Sequence, residues 1–245
     1  MPMLQFDLHV HTSFSSDALI SPRSLPHLAR THGLDGVAVV DHGTVRGALA
    51  AMAAVRAATA FLVIPGAEYP TEYGHVLGLF LHEDLPLGKP GLRRGVPVWP
   101  LAEVVAAVHA QGGLAALAHP FQHGWRQIPA EVMMQLDAVE VVNARATRRF
   151  PEANRQAAEL ASRYGLPGWG GSDAHFPPEL GRGRTLIPWE GKGDPDLVTL
   201  KHLLTSPALQ TCTVSANGVI GRFQYWSKVG RILREIRQMG RRWHE

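Results

Sequence analysis

A single cysteine, Cys212, stands among 245 residues. It excludes an internal disulfide, which suits a reducing compartment. No run reaches the roughly 18 apolar residues of a membrane span. The opening MPMLQFDLHV has neither a basic n-region nor a long apolar stretch, so it does not read as a signal peptide. A cytoplasmic setting is the expectation. There is no repeat of 20–50 residues and no low-complexity linker. Charge is also sparse: 18% of residues are charged, against 45% hydrophobic, a balance that supports a sizeable core and excludes wholesale disorder. The net charge of +3 is uneven. Residues 221–245 hold seven Lys/Arg and two Asp/Glu, a net +5, which leaves −2 for residues 1–220. The body therefore carries no global signal for nucleic acid.

What is present is alternation. LQFDLHV reads as a strand, and Ser21-Pro22 reads as the start of a helix running to about His32. GVAVVD is a β-branched buried strand, followed by an alanine-rich helix over 45–59. FLVIPGAEY and GHVLGLFL read as strands around a short polar turn, and residues 83–99 as a loop. Helix 100–111 leads to the strand GLAALA, then a short helix near 129–136 and the strand AVEVVN. Helix 151–164, the strand LPGWGGSD, a helix near 196–205 and a strand around 210–214 complete the body. Repeated strand–helix units argue for parallel strands with crossover helices. Six or seven such units suggest an α/β chain folded as a (β/α) barrel just short of eight units, with a doubly wound open sheet as the alternative. The body, residues 1–220, is read as one domain; residues 221–245 show apolar positions at helical spacing with basic residues between, and are read as an amphipathic helix packed on it.

Polar residues punctuate the strand ends. His9 and His11 end the first strand, Asp41 and His42 the second, and Glu68 the third; His75 opens the next. His119 follows GLAALA, Asn143 ends AVEVVN, and Asp173 and His175 close "GSDAH". In a barrel these ends form one face, where the loops converge. A single histidine there is more often a hydrogen-bonded structural residue than a ligand. Many histidines and acids on one rim would repel and desolvate one another without a cation. At i and i+2 on a strand, His9 and His11 can face one centre. Imidazole and carboxylate without thiolate suit zinc, manganese or iron. His9, His11, Asp17, His42, Glu68, His75, His119, Asp173 and His175 are nine candidate ligands. One ion uses about four to six, so two or three divalent ions are expected, with Glu68 as the natural bridge.

Taken in order, DLHVHTSFSSD, VVDHGT, GAEY with a histidine seven residues beyond the Glu, AHP, EVVN and GSDAH resemble the PHP (polymerase and histidinol phosphatase) superfamily over residues 4–190. The resemblance implies a distorted (β/α)7 barrel with a di- or trinuclear site for phosphoester hydrolysis at the C-terminal strand ends. It implies that His9, His11, Glu68 and Asp173 hold a first ion. Glu68 then bridges to a second held by His75 and His119, and Asp17, His42 and His175 hold a third. Many members carry histidine where this chain has Asp17. The nucleophile is then a metal-activated water attacking phosphorus in line. Asp173 or His175 can assist proton transfer. Arg145, Arg182 and Arg184 follow the last motifs and are candidate phosphate clamps, because guanidinium matches phosphate oxygens.

The expected substrate is a phosphomonoester of a small metabolite or nucleotide. Alternatives are a 5′–3′ exonuclease acting on a nucleic-acid end, a nucleotide-bisphosphate phosphatase, a histidinol-phosphatase, and a non-catalytic metal-stabilised regulatory domain. The basic tail mildly favours a polyanionic substrate. No residue in the sequence chooses an oligomeric state.

Overall fold

The computed structural model describes residues 2–55, 61–93, 95–122 and 128–214. The amphipathic helix expected over residues 221–245 lies outside them. Strand β1 (Met3–Val10) pairs in parallel with β2 (Gly36–His42), and β2 with β3 (Leu62–Thr71). Helices α1 (Leu25–Thr31) and α2 (Arg46–Ala54) make the crossovers between them. Helix α1 starts later than Ser21-Pro22 suggests: Ser21 O accepts from the backbone N–H groups of Ser24 and Leu25, making a turn that feeds the helix.

The next strand departs from the parallel pattern. β4 (Gly74–Leu79) runs antiparallel to β3, since only Glu72 and Tyr73 separate them. Two residues can close a hairpin but cannot make a crossover, which needs about a dozen. The segment expected to be a loop holds a small hairpin of its own, β5 (Gly91–Arg93) and β6 (Val96–Val98). Helix α3 (Leu101–Ala110) then leads to β7 (Leu114–Ala118), which pairs antiparallel with β4. The four-residue α4 (Ala130–Met133) precedes β8 (Ala138–Asn143); α5 (Ala153–Tyr164) precedes β9 (Gly168–Gly171). The β7–β8 and β8–β9 pairs are parallel.

Seven strands, β1-β2-β3-β4-β7-β8-β9, thus curve into a nearly closed barrel. The last meets the first through a parallel bridge between Val10 and Ala174, with His11 N–H donating to Ala174 O at 2.9 Å. Gly171 permits this closure, because a methyl there would collide with His9 Cβ and lie 2.8 Å from the His9 backbone nitrogen. Strand β10 (Gly183–Pro188), which no sequence pattern marked, adds antiparallel to the outer edge of β1, and β11 (Gln210–Thr213) adds to β10.

One apolar cluster draws on all seven barrel strands, through Phe6, Val40, Ile64, Leu77, Ala116, Ala138 and Trp169 among others. It therefore fills the barrel interior. Leu200 and Leu204 of α6 (Leu197–Leu204) join it, and Trp169 Nε1–H donates to Leu204 O at 2.9 Å. Two further clusters lie between the strands and the outer helices. The polar residues lie beyond this fill, at the C-terminal strand ends. Because β4 is reversed, His75 at its start reaches that same end. Among the described residues no helix is long and apolar enough to cross a membrane.

Candidate metal centre

Glu68 is the hub. It is buried, and five imidazoles surround its carboxylate. His75 Nδ1 and His119 Nε2 lie 2.8 and 3.0 Å from Oε1, with His9 Nε2 at 3.6 Å. His42 Nδ1 and His11 Nε2 lie 3.0 and 3.5 Å from Oε2. Asp173 forms a second pole: its Oδ1 is 3.4 Å from His175 Nδ1, 3.5 Å from His11 Nε2 and 3.7 Å from His9 Nε2. Asp17 reaches the rim, 3.4 Å from both His42 Nε2 and His175 Nε2. All nine candidate ligands are therefore brought into one cluster.

Four overlapping groups in it have donor atoms close enough to hold an ion: His9, His11 and Glu68; His9, His119 and Asp173; Glu68, His75 and His119; and His11, His42 and His175. The arrangement is more shared than the residue-by-residue carry-over implies, since His11 belongs to groups on both sides. The donor chemistry fits divalent ions. His9 Nδ1 faces Glu140 at 3.0 Å, so a cation that displaces the second ring proton would find the Nε2 lone pair. His9 Nε2 lies only 3.1 Å from His11 Nε2. Two imidazole nitrogens converging inside a fully buried site are the geometry a shared cation satisfies.

The electrostatics follow from this crowding. Burial pushes the Glu68 carboxyl up, but His75 and its bonds to His119, His42 and His75 outweigh that and hold it well below the usual carboxylate range. Asp173 is likewise held low against burial by His9, His11 and His175. Burial opposes charge on His9, yet Glu140, Asp173 and Glu68 push it up to about 10. His42 and His119 are raised in the same way, His42 by Asp17 and Glu68 and His119 by Glu68. His11 is instead driven down, by burial and by the neighbouring His175 and His42, and so stays neutral.

Two of the cluster residues sit on unusual backbone. His119 has φ 27° and Asp173 has φ 57°, the left-handed region that side chains rarely occupy. Such conformations persist only where surrounding contacts over-determine them, and they gather at functional sites.

Several supporting residues were given no such role by the sequence. Glu140, buried in the middle of β8, accepts from His9 Nδ1, from His119 N at 2.8 Å and from Asn143 Nδ2 at 3.0 Å. An acid inside the apolar run AVEVVN was its signal. Asp41 is no ligand but the anchor of the Thr12–Asp17 loop. Its carboxylate accepts from Thr12 N (2.8 Å), Thr12 Oγ1 (2.6 Å), Ser15 N (3.1 Å) and Ser15 Oγ (2.5 Å). Asp7 shares the strand parity of His9 and His11, but a bulge in β1 between Asp7 and Val10 breaks that parity. Its carboxylate instead accepts from Ser172 and Gly181, and burial pushes it up to about 6 against those bonds.

The three arginines part company. Arg145 Nη1 lies 3.2 Å from both Asp173 O and Glu179 Oε2, directly beside the cluster. Arg182 lines a small cleft with Arg145, Arg148, Ser172 and Glu179, and its Nε–H donates to Pro178 O. Arg184 does not join them. Its guanidinium donates to Gly181 O, Gln5 Oε1 and His32 O, tying β10 to the N-terminal half of β1. It is a strut between elements because β10, unmarked in the sequence, turns it outward.

A nearly closed barrel with imidazole and carboxylate groups gathered at its C-terminal strand ends defines a metal-dependent hydrolase. Family models agree: the PHP domain matches residues 7–93, and the PHP-associated region matches residues 151–199. An uncharacterised protein of Methanocaldococcus jannaschii is 31% identical over 152 residues, which cover 58% of this chain and 82% of that one. The chain belongs to the PHP family. Among solved structures, it is similar to a two-domain Bacteroides vulgatus protein containing a predicted PHP-like metal-dependent phosphoesterase. The TM-score is 0.65 at 17% identity, covering 86% of this chain and 65% of that one. It is also similar in fold to endonuclease Q in complex with a duplex carrying an abasic lesion. There the TM-score is 0.62 at 14% identity, covering 85% of this chain and 58% of that one.

Proposed function

We propose that the chain is a phosphoesterase that hydrolyses a phosphomonoester of a small metabolite or nucleotide. The observation that carries this reading is Glu68, one buried carboxylate with five imidazoles within 3.6 Å. His9, His11, Glu68 and Asp173 would hold one ion, Glu68, His75 and His119 a second, and Asp17, His42 and His175 a third. Zinc, manganese and iron are the candidates that suit these donors. Bound divalent ions supply Lewis acidity, which makes water a nucleophile near neutral pH and offsets charge on phosphoryl oxygens.

The chain's own residues do the rest. Glu140 fixes the His9 ring so that Nε2 faces the cluster. Asp173 or His175 would assist proton transfer as well as hold an ion; His175 Nδ1 lies 2.9 Å from the Asp173 carbonyl and 3.4 Å from its Oδ1. Arg145, held by Asp173 O and Glu179, and Arg182 beside it are the candidate anion clamps. The apolar fill beneath the cluster and the buried His9, His11 and Glu68 keep water from the inner side; Asp17, His42 and His75, each more exposed, mark the open side.

A second reading, hydrolysis at a nucleic-acid end, is supported by the net +5 of residues 221–245 and by the fold shared with endonuclease Q. One screen tests both: phosphomonoesters, nucleotides, bisphosphates and short RNA and DNA, each with manganese and zinc. Hydrolysis is expected, and His9→Ala should reduce it to background. Undiminished turnover by His9→Ala sinks the proposed chemistry.

A further inference from the structure

One buried carboxylate outside the nine cluster residues grips the stretch of chain that carries two of them. Glu179 ends the short turn Pro177–Glu179 and is 4% exposed. An ionised acid with so little water needs partners. Its Oε2 has three. The backbone N–H of His175 donates to it at 2.8 Å, that of Phe176 at 3.2 Å, and Arg145 Nη1 at 3.2 Å. Its Oε1 is buried on the cleft that Arg148 and Arg182 also line. Two of the three bonds go to backbone. A carboxylate that takes the N–H groups four and three residues before it fixes the path of the chain between them.

That path carries Asp173 and His175. Asp173 is held from another side, because its neighbour Ala174 is bridged to β1: Ala174 N–H donates to His9 O at 3.3 Å and His11 N–H to Ala174 O at 2.9 Å. The bridge ends at Ala174. Beyond it, Leu19 N–H donates to His175 O at 2.8 Å, and Glu179 takes the His175 N–H. The ring follows the backbone. His175 Nδ1 lies 2.9 Å from Asp173 O; a carbonyl only accepts, so Nδ1 carries the proton of that bond. Nε2 is then the nitrogen turned to Asp17, 3.4 Å away, in the group that His175 shares with His11 and His42. Arg145 closes the circuit, since its Nη1 also donates to Asp173 O at 3.2 Å.

We propose that Glu179 is the positioning residue for His175: it sets the turn that aims Nε2 at the third ion, and itself touches neither ion nor substrate. The inference rests on the metal-centre reading of the nine residues and adds one that lies outside the strand ends. Ligating side chains hold their geometry only when outer partners lock them, and loss of such a partner typically lowers metal affinity by about 10- to 100-fold. The β1 bridge holds Asp173 without Glu179. The loss should therefore fall on the ion of Asp17, His42 and His175 and spare the one assigned to His9, His11, Glu68 and Asp173.

The test is calorimetric titration of the stripped full chain with manganese and with zinc. Glu179→Ala should weaken one binding step about 10- to 100-fold and leave the others within about threefold. Glu179→Gln keeps a carbonyl acceptor for the two N–H groups and should restore that step. Glu179→Asp stops one methylene short; it should weaken the same step, and it carries the test where Glu179→Ala does not fold. In a His175→Ala background, Glu179→Ala should change no remaining step, whereas a general loss of structure would weaken binding in both backgrounds. Equal weakening of every step, no weakening in the Ala and Asp variants, or a further loss in the His175→Ala background would overturn the proposal. If wild type takes up neither ion, the metal-centre reading fails separately, and the His175 Nδ1–H resonance in proton NMR decides the positioning. That proton should be protected from exchange in wild type and Glu179→Gln and exposed in Glu179→Ala and Glu179→Asp; equal protection in all four would refute it.

Discussion

Glu140 holds three groups at once, and each bond has a different consequence. The bond to His9 Nδ1 sets the ring's tautomer, the bond to His119 N supports the left-handed backbone there, and the bond to Asn143 Nδ2 ties the end of β8. Carboxylates behind ligating histidines typically matter for metal affinity by 10- to 100-fold, on the order of one to two powers of ten. Glu140→Ala is therefore expected to weaken zinc or manganese binding by roughly that factor, while Asn143→Ala, which leaves the His9 bond intact, weakens it less. Competition titration against a chromophoric chelator measures both. Unchanged affinity in Glu140→Ala would remove Glu140 from the site. The histidines themselves were legible from strand ends and spacing. Glu140 was not, because one acid in an apolar strand does not announce a role; its two partners in the cluster, His9 and His119, lie 131 and 21 residues away.

At the scale of elements, the Thr12–Asp17 loop behaves as a built unit. Asp41, at the end of β2, accepts all four of its anchoring bonds, and Gly47 of α2 leaves room for them. Asp41→Ala strands buried donors and should destabilise the fold by on the order of 3 kcal/mol. It should also release Asp17 from His42 and His175, so that the variant retains fewer ions per chain than wild type under identical loading. Denaturant melts and elemental analysis check the two effects. Wild-type ion content in Asp41→Ala would show that the loop needs no anchor to hold Asp17. Strand identity was readable here from β-branched runs and turn residues, whereas the direction of β4 followed from a two-residue link and reverses the parallel expectation. β10 was missed altogether: GRTLIP alternates only weakly and gains its definition from pairing with β1.

For the molecule as a whole, the cluster couples protons, ions and stability. His9 is pushed up to about 10, and His42 and His119 are raised above their usual value near 6.5. In the metal-free chain His9 and His42 carry protons at neutral pH and pair with Glu68, Asp173 and Asp17, and His119 leans the same way beside Glu68. Their stabilising contribution is complete below the unfolded value and is lost as pH rises through the folded values. The metal-free protein should therefore melt at a lower temperature at pH 10 than at pH 7. Ions must displace the same protons, so their binding tightens as pH rises from 6 to 9. At a free ion concentration 100 times Kd, loading adds about 2.7 kcal/mol, or roughly 5–10 °C in thermal midpoint for a chain of this size. Calorimetry of stripped and loaded protein across pH tests this, and calorimetric titration in two buffers counts the protons released. Binding that releases no protons would contradict the assigned charge states.

The sequence by itself determined the alternating strand–helix plan, the residues at each strand end and the donor chemistry they bring, because periodicity, turn residues and ligand type are local properties. Tertiary structure alone decided that Glu68 stands among five imidazoles, that Asp7 turns to Ser172 and Gly181, that Arg184 braces β10 and that Asp41 pins the Thr12–Asp17 loop. Those outcomes depend on strand order, a one-residue bulge and the closure of β9 onto β1. Each is a pairing between distant segments, which no local pattern encodes.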